Sequence, residues 1–383
     1  MRKLGLYIHI PFCVQKCVYC DFLSAPATDD TRRAYLDALK RELACEADTY
    51  RECEVDTVFF GGGTPSLLEA QALADCIGQL RARYRIARTA EITLEVNPKT
   101  VTAKKLAQLR AAGINRLSIG LQSADDKELR MLGRIHTYAD FLQTYEWARA
   151  AGFDNINIDL ISGIPGQTPA AWHATLETVL GLYPEHISAY SLIVEEGTPL
   201  YARLAEYPSL PDEESDRQMY WETKRLLAAR GYERYEISNY AREGFACRHN
   251  QIYWQRGKCH TADYVGFGLG ATSTVGRRRW RNTADMGRYL MLCGAGDTGA
   301  LKEERETLTE RDAMAEFMLL GLRMTCGVSA GEFHDTFGTT AEAVYGDVFR
   351  KYERYGLLVR EGDRIRLTDA GIDVSNQVLA EFL

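Results

Sequence analysis

No apolar run in the sequence approaches the ~20 residues of a membrane-spanning helix, so no transmembrane segment is predicted. Positive charge is not in excess: 46 lysines and arginines stand against 53 aspartates and glutamates, a net charge of −7. That balance argues against a nucleic-acid backbone as the main partner. Repeats and low-complexity tracts are missing. A secretory signal is missing too. The apolar stretch after Arg2-Lys3 is broken by His9, and a cysteine motif stands where a small-residue cleavage site belongs. A cytoplasmic protein is expected, and in a chain of this size and compartment the ten cysteines are thiols or metal ligands, not a disulfide framework.

What is present is an alternation. Strand-like runs at 4–10, 55–60, 91–96, 116–122, 155–161 and 186–193 are each followed by a helical stretch, among them 32–46, 69–83, 102–112, 139–151 and 169–182. Six βα units predict a parallel sheet covered by helices, either open or a partial barrel. In both cases chemistry belongs at the carboxyl ends of the strands. The polar residues gather there: Gly61-Gly62-Gly63-Thr64-Pro65 after the second strand, Glu95-Val96-Asn97-Pro98 at the third and Gln122-Ser123 at the fourth. Asp159 lies inside the fifth.

After residue 195 the pattern changes. Pro199, Pro208 and Pro211 mark a connector, a helix is predicted over 212–230, and an aromatic stretch at 232–264 precedes Gly266-Phe267-Gly268-Leu269-Gly270. That glycine run lacks the helix of a dinucleotide fingerprint and reads as a place of tight backbone packing. The basic run 277–281 reads as a solvated strand edge. From Thr309 the text predicts three helices and a hairpin turning at Glu361-Gly362-Asp363, a winged-helix-like tail without a basic recognition helix. The expected division is 1–195, 196–305 packing on the first part, and 306–383.

Cys13, Cys17 and Cys20 follow the first strand with the spacing CxxxCxxC. Three thiolates on one short loop suit an iron–sulfur cluster, zinc or Cu(I). A structural zinc would need a fourth ligand, whereas a [4Fe–4S] cluster held by three cysteines keeps one iron open. The other seven cysteines have no ligand spacing.

The motif, with Tyr19 before its third cysteine, resembles the radical S-adenosylmethionine (SAM) superfamily. Within it the chain resembles the oxygen-independent coproporphyrinogen III oxidase family and its relatives. The matching text is Tyr7-Ile8-His9-Ile10-Pro11-Phe12-Cys13, the runs beginning at Gly61 and Glu95, residues 116–122, Arg134 and residues 157–165, and the likeness continues through the tail. It implies an α/β fold, a partial (β/α)6 barrel followed by a smaller α+β region. It also implies a [4Fe–4S] cluster on the three cysteines, and SAM contacts at Tyr7, Tyr19, Gly62, Gly63, Thr64, Glu95, Gln122, Arg134, Asp159 and Ile193. The glycines would let backbone approach the ligand, and Arg134 would pair with a carboxylate.

Two branches of that family differ in function. One decarboxylates coproporphyrinogen III oxidatively; the other, the heme chaperone (HemW) branch, binds heme or porphyrin and hands heme to acceptor proteins, membrane-associated ones included. The decarboxylases extend the motif to CxxxCxxCxC, where this chain has Phe22, and carry a longer segment ahead of the first strand than the six residues before Tyr7. His249-Asn250-Gln251-Ile252-Tyr253-Trp254 reads HNxxYW, associated with the chaperones. These features favour the chaperone, with the decarboxylase as the alternative. His249 is the candidate axial ligand of heme, Tyr253 and Trp254 offer flat apolar surface, and Arg248, Arg256 or Lys258 could pair with propionates. Cys247, Cys259 and His260 are weaker ligand candidates. The competing reading is that HNxxYW packs the middle region onto the barrel, with His249 and Asn250 as hydrogen-bonded structural residues.

Overall fold

The computed structural model describes residues 2–255 and 263–383; Arg256, Lys258, Cys259 and His260 lie outside them. Strands β1 (Arg2–Ile10), β2 (Cys53–Gly62), β3 (Ile86–Val96), β4 (Arg116–Gln122), β5 (Ile156–Ser162) and β6 (His186–Ser191) run parallel in sequential order. The crossovers are α1 (Asp29–Glu46), α2 (Ala70–Arg83), α3 (Ala103–Ala112), the pair α4 (Asp126–Met131) and α5 (Tyr138–Ala150), and α6 (Pro169–Leu180). Their starts are written in the sequence. Thr28, Thr102, Asp125, Thr137 and Thr168 each accept a first-turn amide, and Pro169 stands where no amide partner is needed.

One residue from each strand (Tyr7, Phe59, Glu95, Ser118, Asp159 and Ser188) lines a single cavity. A flat sheet would set the first and sixth strands roughly 24 Å apart, so the six strands curl into the expected partial barrel. Hydrogen bonding does not close it, because β1 and β6 have other partners on their outer edges.

Those partners come from the middle region. After a short helix α7 (Pro199–Ala202) and α8 (Glu213–Ala229), strands β7 (Glu233–Arg234) and β8 (Asn239–Ala241) extend the sheet beyond β6. Helix α9 (Arg248–Trp254) follows. Then β9 (Tyr264–Phe267) joins β1 in parallel, with β10 (Thr272–Val275), β11 (Arg278–Asn282) and β12 (Lys302–Thr307) beyond it and α10 (Met286–Ala295) between the last two. Residues 196–305 therefore do more than pack on the barrel: they lengthen its sheet to twelve strands. The basic run is not an edge. It lies on β11 between β10 and β12, whose acidic residues cover it, as in Arg279–Glu306 and Arg281–Glu304. The glycine run packs as expected, since a Cβ on Gly268 would lie 2.8 Å from the His9 carbonyl.

The tail comprises α11 (Glu310–Gly321), β13 (Val328–Ser329), α12 (Ala330–Phe337), α13 (Ala341–Arg354), β14 (Leu358–Glu361) and β15 (Arg364–Leu367). This winged-helix order encloses its own core around Phe317, Phe333 and Phe349. It meets the rest through a bridge between Glu236 and Met324 and through Arg323, 4.4 Å above the Trp254 ring.

Candidate cluster and cofactor site

The loop after β1 is fastened by its own backbone bonds. Cys13 and Ala25 tie its two ends through Cys13 N to Ala25 O (3.2 Å) and Ala25 N to Pro11 O (3.0 Å), and Val18 bonds the backbone of Leu132 and Leu200. The three thiols are half-buried. Thr64 Oγ1 donates to Cys13 Sγ and Arg134 Nη1 to Cys17 Sγ, each at 3.6 Å. A hydroxyl and a guanidinium aimed at sulfur are donors that metal-bound sulfur can accept from, so this donor set fits such a group.

Behind these donors stands a residue that the sequence places on the polar rim without a role of its own. Asn97 donates from Nδ2 to Thr64 Oγ1 (2.8 Å), and its Oδ1 accepts from Arg134 Nη2, which also bonds Gly120 O at 2.8 Å. The available signal was an Asn-Pro two residues after a carboxylate at a strand end. The glycines also serve the packing of the chain itself. Gly63 N and Thr64 N bond Ile10 O and Phe12 O as the run crosses the exit of β1. A Cβ on Gly63 would lie 2.7 Å from Phe12 O, and Gly62, at φ +108°, would drive one into the His9 ring. Close approach of the chain to itself already requires both glycines.

Glu95 accepts the Gly62 amide at 3.1 Å. Burial, with nearby Asp159 adding to it, pushes its carboxyl up to about 8. Asp159 is also raised by burial, against the pull of hydrogen bonds from Asn157 (2.8 Å) and Ser118 (3.0 Å) and the charge of Arg116. Gln122 turns into the left-handed region, φ +72°, and its buried Oε1 has no partner among the described residues. Tyr7 OH lies 3.0 Å from His9 Nδ1, and Tyr19 packs with Leu132, Ile161 and Ile164. Ile193, 68% exposed, stands two residues beyond β6. Of the expected SAM residues, Tyr7, Glu95 and Asp159 line the lumen, while Thr64 and Arg134 reach the cysteine loop.

The HNxxYW segment lies at the other end. It forms α9, whose first amides, Arg248 N and His249 N, both bond the Glu91 carboxylate at 3.1 Å, and the Cys247 thiol donates to the same group. His249 Nδ1 meets Thr57 Oγ1 at 2.7 Å and Nε2 meets Tyr253 OH at 3.0 Å. Thr57 is five residues before Gly62, roughly 17 Å along β2, so α9 seals the amino-terminal end of the lumen. His249 is 1% exposed, and burial pushes its imidazole down to about 3, hence neutral. In this conformation neither ring nitrogen is free for an iron.

Family comparisons agree with this architecture. The Radical SAM superfamily model matches residues 7–179, and the HemN C-terminal domain model matches 308–374. The heme chaperone HemW of Bacillus subtilis is 34% identical over 98% of both chains, and that of Escherichia coli is 34% identical over all of this chain and 99% of its own. The chain belongs to the HemW heme chaperone family. Other HemW proteins, including that of Haemophilus influenzae at 34% identity over 98% of its length, match this chain from end to end. In structure, the E. coli coproporphyrinogen III oxidase HemN, described as a radical SAM enzyme, matches all of this HemW-family chain and 90% of its own with a TM-score of 0.85 and 25% identity.

Proposed function

We propose that this protein is a heme chaperone that binds heme and transfers it to acceptor proteins in the cytoplasm or at the membrane, with a [4Fe–4S] cluster on Cys13, Cys17 and Cys20 and SAM beside it. The observation that carries this reading is the end-to-end likeness to heme chaperones. Phe22, 69% exposed where the decarboxylases place a further cysteine, supports it. Among the described residues no helix is long and apolar enough to cross a membrane, so delivery to a membrane acceptor would proceed from outside the bilayer.

When bound, a cluster held by three thiolates supplies an open iron corner that can chelate SAM and pass it an electron. The chain's own residues do the rest. Thr64 and Arg134 stabilise sulfur charge, and Asn97 fixes the angle of both. Gln122, with its unpartnered Oε1, and Asp159 face the ligand as acceptors for hydroxyl or ammonium protons, while Glu95, neutral below about pH 8, can offer a proton. Tyr7, Tyr19, Gly62, Gly63 and Ile193 complete the surround. His249 serves as a heme ligand only if α9 leaves the lumen end; seated as described, it holds that end shut.

The test uses anaerobically reconstituted protein. One sample is titrated with heme, and another is incubated with coproporphyrinogen III, SAM and reductant. A saturable Soret shift without decarboxylated porphyrin is expected, and heme binding that survives in His249→Ala would leave that residue its sealing role alone. Turnover to protoporphyrinogen would overturn the chaperone reading. Cys13→Ala, Cys17→Ala or Cys20→Ala should each abolish the cluster's visible absorbance and its iron content, and an intact cluster in any of them would remove the ligand assignment.

A further inference from the structure

The cavity enclosed by the six curled strands measures about 210 Å³. Arg116, the first residue of β4, reaches it fully buried, at 1% exposure. Among the described residues its guanidinium has no hydrogen-bond or ion-pair partner, and its buried Nε is orphaned outright. Thr93, opposite Arg116 in the β3–β4 register and on the same sheet face as Glu95, also buries an unpartnered hydroxyl. The charges of nearby Glu91 and Asp159 favour the buried guanidinium, but N–H donors left without acceptors away from water are costly, so the chamber suits an occupant that accepts hydrogen bonds.

The neighbouring carboxylates do not fill that role. Asp159 takes its protons from Ser118 and Asn157, Glu91 from the α9 amides and Cys247, and Glu95 from Gly62. The histidines are occupied as well. His186 meets Asn157 and Tyr235, and His249 meets Thr57 and Tyr253; burial keeps both neutral. Among the described residues these carboxylates and histidines have hydrogen-bond partners of their own, and Arg116 is none of them.

We infer that the floor of the lumen is an anion site in which Arg116 holds a small planar oxyanion of the carboxylate class. The guanidinium fork matches two oxygens of one such group. Size and depth limit the class. Arg116 lies six residues below Gln122, roughly 20 Å along the strand, with α9 beneath and the SAM-facing residues above, out of reach of a tetrapyrrole at the mouth. Formate, acetate and bicarbonate fit. Anion binding at Arg116 needs neither the cluster nor heme, although the expected SAM contacts Tyr7, Glu95 and Asp159 and the heme candidate His249 line the same cavity. Glu95 gives it a pH dependence: below about pH 8 the carboxyl is neutral, and as it ionises it adds a negative charge to Asp159 and Glu91 and weakens anion binding.

The experiment titrates ¹³C-formate, then ¹³C-bicarbonate, into the full-length protein and follows line broadening and the melting temperature at pH 7 and pH 9. Saturable binding is expected, weaker at pH 9, with Glu95→Gln flattening the pH difference. Arg116→Met should lose roughly tenfold or more in affinity, the scale of a charge-assisted bond, and Arg116→Lys, which keeps the charge without the fork, should fall between. With the anion absent, Arg116→Met should melt no lower than the parent, which also shows that it folds. No saturation by either anion, or equal binding by Arg116→Met, would overturn the inference and leave the chamber to water.

Discussion

Asn97 holds both arms that reach the cysteine sulfurs, Thr64 from one side and Arg134 from the other. Side chains that orient the partners of a metal group without touching it are typically worth 10–100-fold in affinity or activity. Asn97→Ala should therefore load iron normally yet bind SAM roughly tenfold more weakly, read by equilibrium dialysis on the reconstituted protein. Unchanged SAM affinity would reduce Asn97 to a strand-end cap. Glu42 is a second residue with a measurable consequence. It is buried, and its carboxylate takes bonds from Tyr289, Asn282 and the Gly268 amide, yet burial outweighs them and pushes it up to about 7. Because the folded value exceeds the ordinary 4.5, its stabilising contribution is complete at low pH and is lost as pH rises through 7. Glu95 acts in the same sense around 8. The melting temperature should decline from pH 6 to pH 9, and a rise over that interval would contradict both.

At the scale of the element, α9 is a seven-residue helix, too short to persist by propensity alone. Glu91 anchors its first turn, Thr57 its histidine, and Asp56 its arginine through contacts at 3.3 Å. Removing a capping carboxylate costs about 1–2 kcal/mol, so Glu91→Ala should speed amide exchange across 247–255 roughly tenfold while α1 and α2 exchange as before. Equal exchange in that segment would mean that α9 is held by something else. The cysteine loop behaves differently, since its own backbone bonds close it. Stripping iron should accordingly leave the far-UV circular dichroism of the protein intact, and loss of helical signal on chelation would show that the metal organises more than the loop.

Across the whole molecule, what was legible followed from local chemistry. Period, caps and the CxxxCxxC spacing are properties of neighbouring residues, so the six βα units, the tail hairpin and the cysteine loop fall close to where the sequence predicts them. The destinations of the middle strands are not local. Nothing within Tyr264–Phe267 says that it pairs with β1, and a basic strand looks like an edge until the acidic strand β12 is known to lie outside it. Arg116, at a strand's start, looks like an ordinary boundary residue, and only the curl of the sheet turns it inward. The same is true of Asn157 and Ser118, polar positions inside buried strands. That curl and that late strand have a consequence in time. β1 leaves the ribosome well before β9 and is, in the finished protein, an interior strand whose outer neighbour β9 supplies; the Arg2–Asp263 contact beside that seam spans 261 residues. At roughly 5–20 residues per second, the nascent chain carries an open β1 edge for something like 13 to 50 s, an interval in which the barrel stands as an unfinished template for any strand that arrives before its own.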